Sequence, residues 1–331
     1  MVSPARTSPV VLVTSRSFSA GDLDLTAELA AAGVEVRTGP AEHNLDALRP
    51  LLDTARAWIA GAGPITAEHL DAAPDLELVA RYGVGVDAVD LAAAARRGVR
   101  VTNTPGANTA AVAEHTVALM LAALRDVAAG DRGVRAGHWG VRRTRQLGGS
   151  TVGIVGLGRI GREVATRLSG FGATLLGYDP WVAPGLLDPL GVTQVGLDVL
   201  ARRSSIVTLH TPGEEVLVDS RFLDLLQPDT ILVNTARATL VDEPALADAL
   251  RGGGLRAYAT DVLGTESGAD GAEHPLLAAD LADRTLFTPH AAAQTVEAVD
   301  QMGRGAVDAV LALLRGEQPP NLVRLPDPDG A

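Results

Sequence analysis

The run from Thr151 through Val152, Gly153, Ile154 and Val155 into Gly156-Leu157-Gly158-Arg159-Ile160-Gly161 restricts the fold more than any other feature of this sequence. An apolar strand enters G-x-G-x-x-G and a helix leaves it, which is the pattern of a dinucleotide-binding turn. Gly156 allows the tight turn, Gly158 lets a diphosphate approach the backbone, and Gly161 lets the helix pack on the sheet. The first helical turn, with Arg159 and Ile160, offers N–H donors and a partial positive charge to that diphosphate. The next strand, Ala173 to Tyr178, runs into Asp179, 23 residues after Gly156. An acid about 20 residues on accepts hydrogen bonds from ribose hydroxyls and repels a 2′-phosphate. The turn therefore points to NAD rather than NADP.

The rest of the chain repeats one rhythm. Strands are predicted at Val10–Val13, Val34–Val36, Ala57–Ala60, Leu76–Ala80 and Val99–Val101. Helices are predicted between them, at Asp22–Ala32, Leu45–Leu52, Thr66–Ala72 and Leu91–Arg97. A long helix follows at Thr109–Val127, then a polar, glycine-punctuated stretch from Gly130 to Ser150. A second series of strands covers Val152–Val155, Thr174–Gly177, Ile206–Leu209, Thr230–Val233, Leu255–Thr260 and Thr285–Thr288. A helix from Thr295 to Arg315 and a Pro-rich tail from Pro319, read as extended or partly disordered, close the chain. Alternation at this spacing means parallel strands with helices on both faces. The expected fold class is α/β, with two doubly wound parallel-sheet domains and a cleft between them.

Composition removes several chemistries. The chain has no Cys, and all 28 of its basic residues are Arg, so Lys is absent too. Thiolate nucleophiles, Cys-ligated metals, Schiff bases and a P-loop Lys are excluded. The seven His residues show no metal-ligand spacing, so no metal is expected. Net charge is −12, which disfavours nucleic acid as a partner. No apolar run reaches the roughly 18 residues of a membrane helix, and Met1 to Pro9 lacks a signal-peptide pattern, so no membrane role and a cytoplasmic location are expected.

Several further segments read together: Arg81-Tyr82-Gly83-Val84-Gly85-Val86-Asp87, Asn103-Thr104-Pro105-Gly106-Ala107-Asn108, Val112-Ala113-Glu114-His115, Asn234-Thr235-Ala236-Arg237, Asp261-Val262 with Glu266, and Thr288-Pro289-His290. In this order, from about Val10 to Leu322, the chain resembles the NAD-dependent D-2-hydroxyacid dehydrogenase family, and most closely its D-3-phosphoglycerate-dehydrogenase-like branch. The resemblance implies a flavodoxin-like substrate domain, residues 1–103 with 291–331, and a Rossmann NAD-binding domain, residues 104–290. It implies a catalytic set of Arg237, Glu266 and His290. Such a set suits the chemistry, because reducing a 2-oxo acid needs a proton donor, a group that orients it and a cation for the carboxylate. The resemblance also implies substrate contacts from the backbone N–H groups of Val84 and Gly85 and from Asn108, which is in addition a natural helix cap. Cofactor contacts would come from His210, Pro212, Thr235 and Asp261, the last holding the nicotinamide carboxamide.

Departures from the family pattern are few. Ala238 follows Arg237 where Gly is usual, Ser267 follows Glu266 where Pro is usual, and the loop Gly213 to Val216 is short. His115, on a mostly apolar helix, reads as a packed, hydrogen-bonded histidine. The expected partner is a small anionic 2-oxo or 2-hydroxy acid. Arg132, Arg135, Arg142, Arg143 and Arg145 either reach such an anion across a homodimer or form a solvated rim. The loop Gly61-Ala62-Gly63-Pro64 lacks the cation or hydroxyl that often meets a phosphate in this branch. Two alternatives stay open: a D-3-phosphoglycerate dehydrogenase specifically, and a non-catalytic NAD-sensing protein on the same fold.

Overall fold

The structure is a computed structural model that describes residues 8–213, 215–264 and 274–327. Its contacts divide the chain into two units, residues 1–108 with 294–331 and residues 109–293.

The first unit is built on five parallel strands: β1 (Val10–Val13), β2 (Glu35–Thr38), β3 (Ala55–Ala60), β4 (Leu78–Arg81) and β5 (Arg100–Thr102). Their order is β2-β1-β3-β4-β5, so the chain reverses direction beside β1. This is the flavodoxin-like order, with its switch point between β1 and β3. β1 and β4 are buried along their whole length, β1 as an apolar run covered on both faces and β4 including the charged Arg81 at its end. The short helices α1 (Leu25–Ala31), α2 (Leu45–Leu52) and α4 (Leu91–Arg96) start at Asp24, Asn44 and Asp90. Each of those side chains accepts from a first-turn N–H and so satisfies an otherwise orphan donor. The tail is tied to this sheet, because Leu322 bridges Thr102 and the Val323 N–H donates to the Val101 carbonyl at 2.8 Å.

A buried polar cluster ties the carboxyl ends of this sheet together. The Trp58 indole N–H donates to Thr14 Oγ1 at 2.9 Å, and Thr14 Oγ1 lies 2.6 Å from His43 Nε2. His43 Nδ1 lies 3.1 Å from the Pro64 carbonyl, which can only accept, so the ring proton sits on Nδ1 and Thr14 donates to Nε2. Burial pushes the His43 imidazole down to about 4, which keeps it neutral. His69, on α3 (Ala67–Asp71), carries its proton on Nε2 and donates to the His43 carbonyl at 2.7 Å. The loop after β3 is thereby fixed as bare backbone. A Cβ at Gly61 would meet the Thr14 carbonyl at 2.8 Å, and one at Gly63 would meet the His43 ring at 2.5 Å.

The second unit holds seven parallel strands: β6 (Thr151–Val155), β7 (Thr174–Tyr178), β8 (Val192–Gln194), β9 (Ile206–Leu209), β10 (Ile231–Asn234), β11 (Ala257–Thr260) and β12 (Thr285–Phe287). The order is β12-β11-β10-β9-β6-β7-β8. The sequence pattern predicts six strands here; the edge strand β8 is the addition, three residues long in a Gly- and Pro-rich stretch with no alternation to reveal it. Two apolar cores lie on opposite faces, one centred on Ile154, Val164 and Met120, the other on Leu209, Leu232 and Leu250. The helix α5 (Thr109–Leu124) buries residues on most of its sides, from Val112 to Leu124. A separate helix, α6 (Val127–Arg135), occupies the start of the stretch that reads as polar and irregular, with Gly130 and Gly133 inside it.

Candidate active site

In a sheet of this order the chain goes one way from β6 to β7 and β8, and the other way from β9 onward. The carboxyl ends of β6 and β9 therefore flank the switch point, where open α/β sheets bind ligands. The glycine turn lies there. Gly156 follows β6 with φ of 88°, and a Cβ on it would meet the backbone of His210, just past β9, at 2.6 Å. A Cβ on Gly161 would strike the Gly156 carbonyl, which is why the third glycine lets the helix close onto the turn. Gly158 differs from both, since it is exposed and a Cβ there would meet nothing within 4 Å. It begins α7 (Arg159–Ser169), and no side chain caps that helix start. Eleven residues of aligned peptide dipoles thus end in open N–H groups at Arg159, Ile160 and Gly161.

Asp179 is joined to this turn. Its carboxylate accepts from the Leu157 N–H at 2.8 Å and from the Trp181 N–H at 2.9 Å, one bond per oxygen. Each oxygen keeps a lone pair for a diol. His210 packs under Gly156, donates its N–H to the Val155 carbonyl at 2.7 Å, and places its ring by Thr208 at 2.9 Å. Burial pushes this imidazole down to about 3, so it is neutral. Gly213, just past Pro212, packs on the Arg237 side chain. The residues present fit a dinucleotide: an uncapped helix start, an open glycine and an acid beside them.

Arg237 and His290 sit on the same edge of the sheet. Asn234, Thr260 and Phe287 lie level across β10, β11 and β12. Arg237 is three residues beyond the first and His290 three beyond the last. With adjacent strands about 4.8 Å apart, both loops leave the sheet within about 10 Å of each other. Asn234 shapes the first loop, its amide donating to the Arg237 carbonyl at 2.8 Å and accepting from the Ala236 N–H at 2.9 Å. Thr235 is held by Thr116 of α5, hydroxyl to hydroxyl at 2.8 Å. Burial raises the neighbouring Tyr258 to about 12, so its phenol stays protonated.

The second loop is gathered by Asp261. One carboxylate oxygen accepts from the Thr288 hydroxyl at 2.5 Å and the Ala291 N–H at 2.9 Å, the other from the Ala292 N–H at 2.9 Å. The His290 N–H donates to the carbonyls of Asp261 and Thr288, both at 3.0 Å. His290 itself is exposed and left-handed, with φ of 51°. Asp261 is 2% exposed, and three of its acceptor positions are used within the chain. Glu266 lies outside the described residues.

In the first unit, the carbonyls of Gly83, Val84 and Gly85 accept from the Thr104 N–H, the Asn103 amide and Arg81 Nε at 3.0, 2.7 and 3.0 Å. In a trans peptide the N–H points away from the carbonyl. The N–H groups of Val84 and Gly85 therefore point away from Thr104 and Asn103. Arg81 also binds the Ala60 and Gly61 carbonyls, which couples this loop to Gly61–Pro64. The amide oxygen of Asn108 is buried and accepts nothing, so it does not cap α5.

The arginine-rich segment is largely engaged. Arg132 and Arg142 reach Asp283 at 3.2 and 2.8 Å, Arg145 reaches Asp229 at 2.7 Å, and Arg135 pairs with Asp131 at 2.9 Å. The two guanidinium groups hold the Asp283 carboxyl below its usual range. Sequence reasoning singles out none of Asn234, Thr116 and Thr288 for a role. Asn234 and Thr288 lie inside the quoted motifs, but their work becomes visible only when strands distant in sequence stand side by side. Among the described residues no group of His, Asp and Glu is placed to hold a metal ion, and no helix is long and apolar enough to cross a membrane.

The carboxyl edge of the second sheet is thus built as a dinucleotide-binding domain. Residues 117–292 match the family described as D-isomer specific 2-hydroxyacid dehydrogenase, NAD binding domain. The chain is 41% identical over 328 residues to a D-3-phosphoglycerate dehydrogenase of Mycobacterium leprae, across 96% of this chain and 59% of that protein. It is 40% identical over 269 residues to a glyoxylate reductase of Korarchaeum cryptofilum, across 78% of this chain and 80% of that one. Among solved structures, the TT0316 protein from Thermus thermophilus matches with a TM-score of 0.84 at 34% identity, over 95% of this chain and 100% of the other. The chain belongs to the D-2-hydroxyacid dehydrogenase family, and its second unit is the family's NAD-binding domain. It spans only 59% of the length of the mycobacterial relative.

Proposed function

We propose that the chain is a working NAD-dependent dehydrogenase that interconverts a small 2-oxo acid and a D-2-hydroxy acid. The observation that carries this reading is the pair of loops at the ends of β10 and β12, which project Arg237 and His290 from one edge of the sheet that also bears the glycine turn.

Bound NADH supplies the hydride that adds to the substrate's carbonyl carbon. The chain's residues do the rest. The α7 start and Gly158 receive the diphosphate, and Asp179 receives the ribose hydroxyls. The planar guanidinium of Arg237 holds the substrate carboxylate. By the family resemblance, the Val84 and Gly85 N–H groups and Asn108 are proposed as further substrate contacts. His290 gives a proton to the carbonyl oxygen as it becomes an alkoxide, and takes it back in the reverse direction. Glu266 is proposed to orient His290. Asp261 serves this chemistry by holding the His290 loop.

The loop Gly61–Pro64 offers only backbone, the Ala62 methyl and the Pro64 ring, because Gly61 and Gly63 admit no side chain. Of the arginines that read as anion receptors, four are paired within the chain. Both facts favour an acid without a phosphate. The test is NADH oxidation against glyoxylate, pyruvate, hydroxypyruvate, 2-oxoglutarate and phosphohydroxypyruvate. Turnover with NADH well above NADPH is expected, best with an unphosphorylated acid, and Asp179→Ser narrows the gap between cofactors. Tight NADH binding with no turnover on any acid overturns the enzymatic reading in favour of NAD sensing.

A homodimer is proposed from the exposed segment after α6, where Trp139 is 82% and Val141 96% exposed. Two large apolar side chains this bare, two residues apart, support an interface at this segment. Light scattering should report twice the chain mass, and a single-chain mass removes the dimer. The proposed setting is the cytoplasm, where NAD is available.

A further inference from the structure

His115 lies on a mostly apolar helix, outside the chemistry just described, yet it does not simply pack. Its Nε2 is 2.9 Å from the Thr288 hydroxyl and 3.5 Å from Asp261 Oδ1. The hydroxyl's own proton goes to the Asp261 carboxylate. Thr288 Oγ1 can therefore only accept from the ring, and His115 must carry a proton on Nε2. One chain of bonds then runs from α5 through His115 and Thr288 to Asp261, and from Asp261 to the Ala291 and Ala292 N–H groups on the far side of His290. The next residue of the same helix, Thr116, holds Thr235 in the loop that carries Arg237. A single turn of α5 thus braces both loops. The His290 loop needs the support more, because His290 sits at φ of 51°, which is strained for a residue other than glycine.

We propose that His115 is a positioning residue for His290, acting by donating Nε2–H to Thr288 and so fixing the Asp261 carboxylate that gathers the loop. The inference rests on His290 being the proton donor. Other charged groups nearby are committed elsewhere: Glu114, the adjacent residue, pairs with Arg167 of α7, which also holds Glu163.

The test compares His115→Leu, which fills the space without a donor, with His115→Gln, which keeps an amide N–H. The Leu variant should lose about 100-fold in kcat, the scale of a misplaced catalytic group. Its KM, NADH affinity and melting temperature should stay near wild type. The Gln variant should recover most of the loss. Equal kcat in the Leu variant and wild type overturns the proposal, as does an equal fall in both variants with a lowered melting temperature, which marks packing alone. Hydrogen exchange over residues 288–293 reads the same question without turnover: the amides of Ala291 and Ala292 should exchange faster in His115→Leu than in His115→Gln. If the wild type turns over no acid, that exchange result still decides the role of His115, while the enzymatic reading fails separately. Unchanged exchange in His115→Leu overturns the proposal.

Discussion

His290→Ala should reduce kcat on the best 2-oxo acid by about 10²- to 10⁴-fold, the usual contribution of a positioned general acid. NADH affinity should hold within a factor of about three, because the glycine turn and Asp179 lie across the sheet at β6 and β7 while His290 follows β12. A simple alanine variant mixes two effects. The left-handed backbone at His290 costs about 1–2 kcal/mol for an ordinary L-residue, so Ala also loosens the loop. Asn separates them, since it adopts this conformation more readily than most residues and has no titrating group. His290→Asn should therefore keep the loop and still lose turnover by a similar factor. Near-normal turnover in the Asn variant removes His290 from the proton transfer and leaves it a turn residue.

The sheets are readable from the sequence because both are parallel and buried on two faces. Strands such as Val10–Val13 and Ile231–Asn234 then stand out as short apolar runs between helical stretches. The helix Leu45–Leu52 is equally plain, with an Asn cap before it and apolar residues facing the core. β8 is not plain, because three edge residues carry no period. α6 is hidden because Gly130 and Gly133 speak against a helix that nonetheless forms. The same limit applies within the site. The glycine turn is local, so each glycine's task follows from strand, turn and helix alone. Asp261 is different. From the chain it reads only as a cofactor contact, and the sequence does not show that its carboxylate also gathers Thr288, Ala291 and Ala292, some thirty residues later. Only the pairing of β11 with β12 brings those groups together. In the loop Gly61–Pro64 the lack of polar side chains is visible in the sequence, but the reason Gly63 stays bare, a neutral His43 filling the space beside it, is not.

The other large effect falls on the cofactor turn and divides between two glycines that a motif treats alike. At Gly156 a methyl group has no room, because it faces the backbone of His210 and Thr211, and the residue is left-handed. Overpacking against backbone costs about 1–3 kcal/mol and the conformation about 1–2 kcal/mol more. Gly156→Ala should therefore lower the melting temperature by several degrees and displace the start of α7. NADH binding, read by fluorescence, should weaken by at least about 100-fold, since the N–H donors and the helix charge move away from the diphosphate. Gly158→Ala has none of these internal costs, because a Cβ there meets no protein atom within 4 Å and the backbone is extended. Its melting temperature should match wild type. The added methyl nevertheless stands over the open helix start, and NADH should bind roughly tenfold to 100-fold more weakly, a penalty of about 1.4–2.8 kcal/mol. A stable Gly158→Ala protein that binds NADH as tightly as wild type moves the diphosphate off this turn. Weak binding with an intact fold leaves close approach of the cofactor as the reason that position carries no side chain.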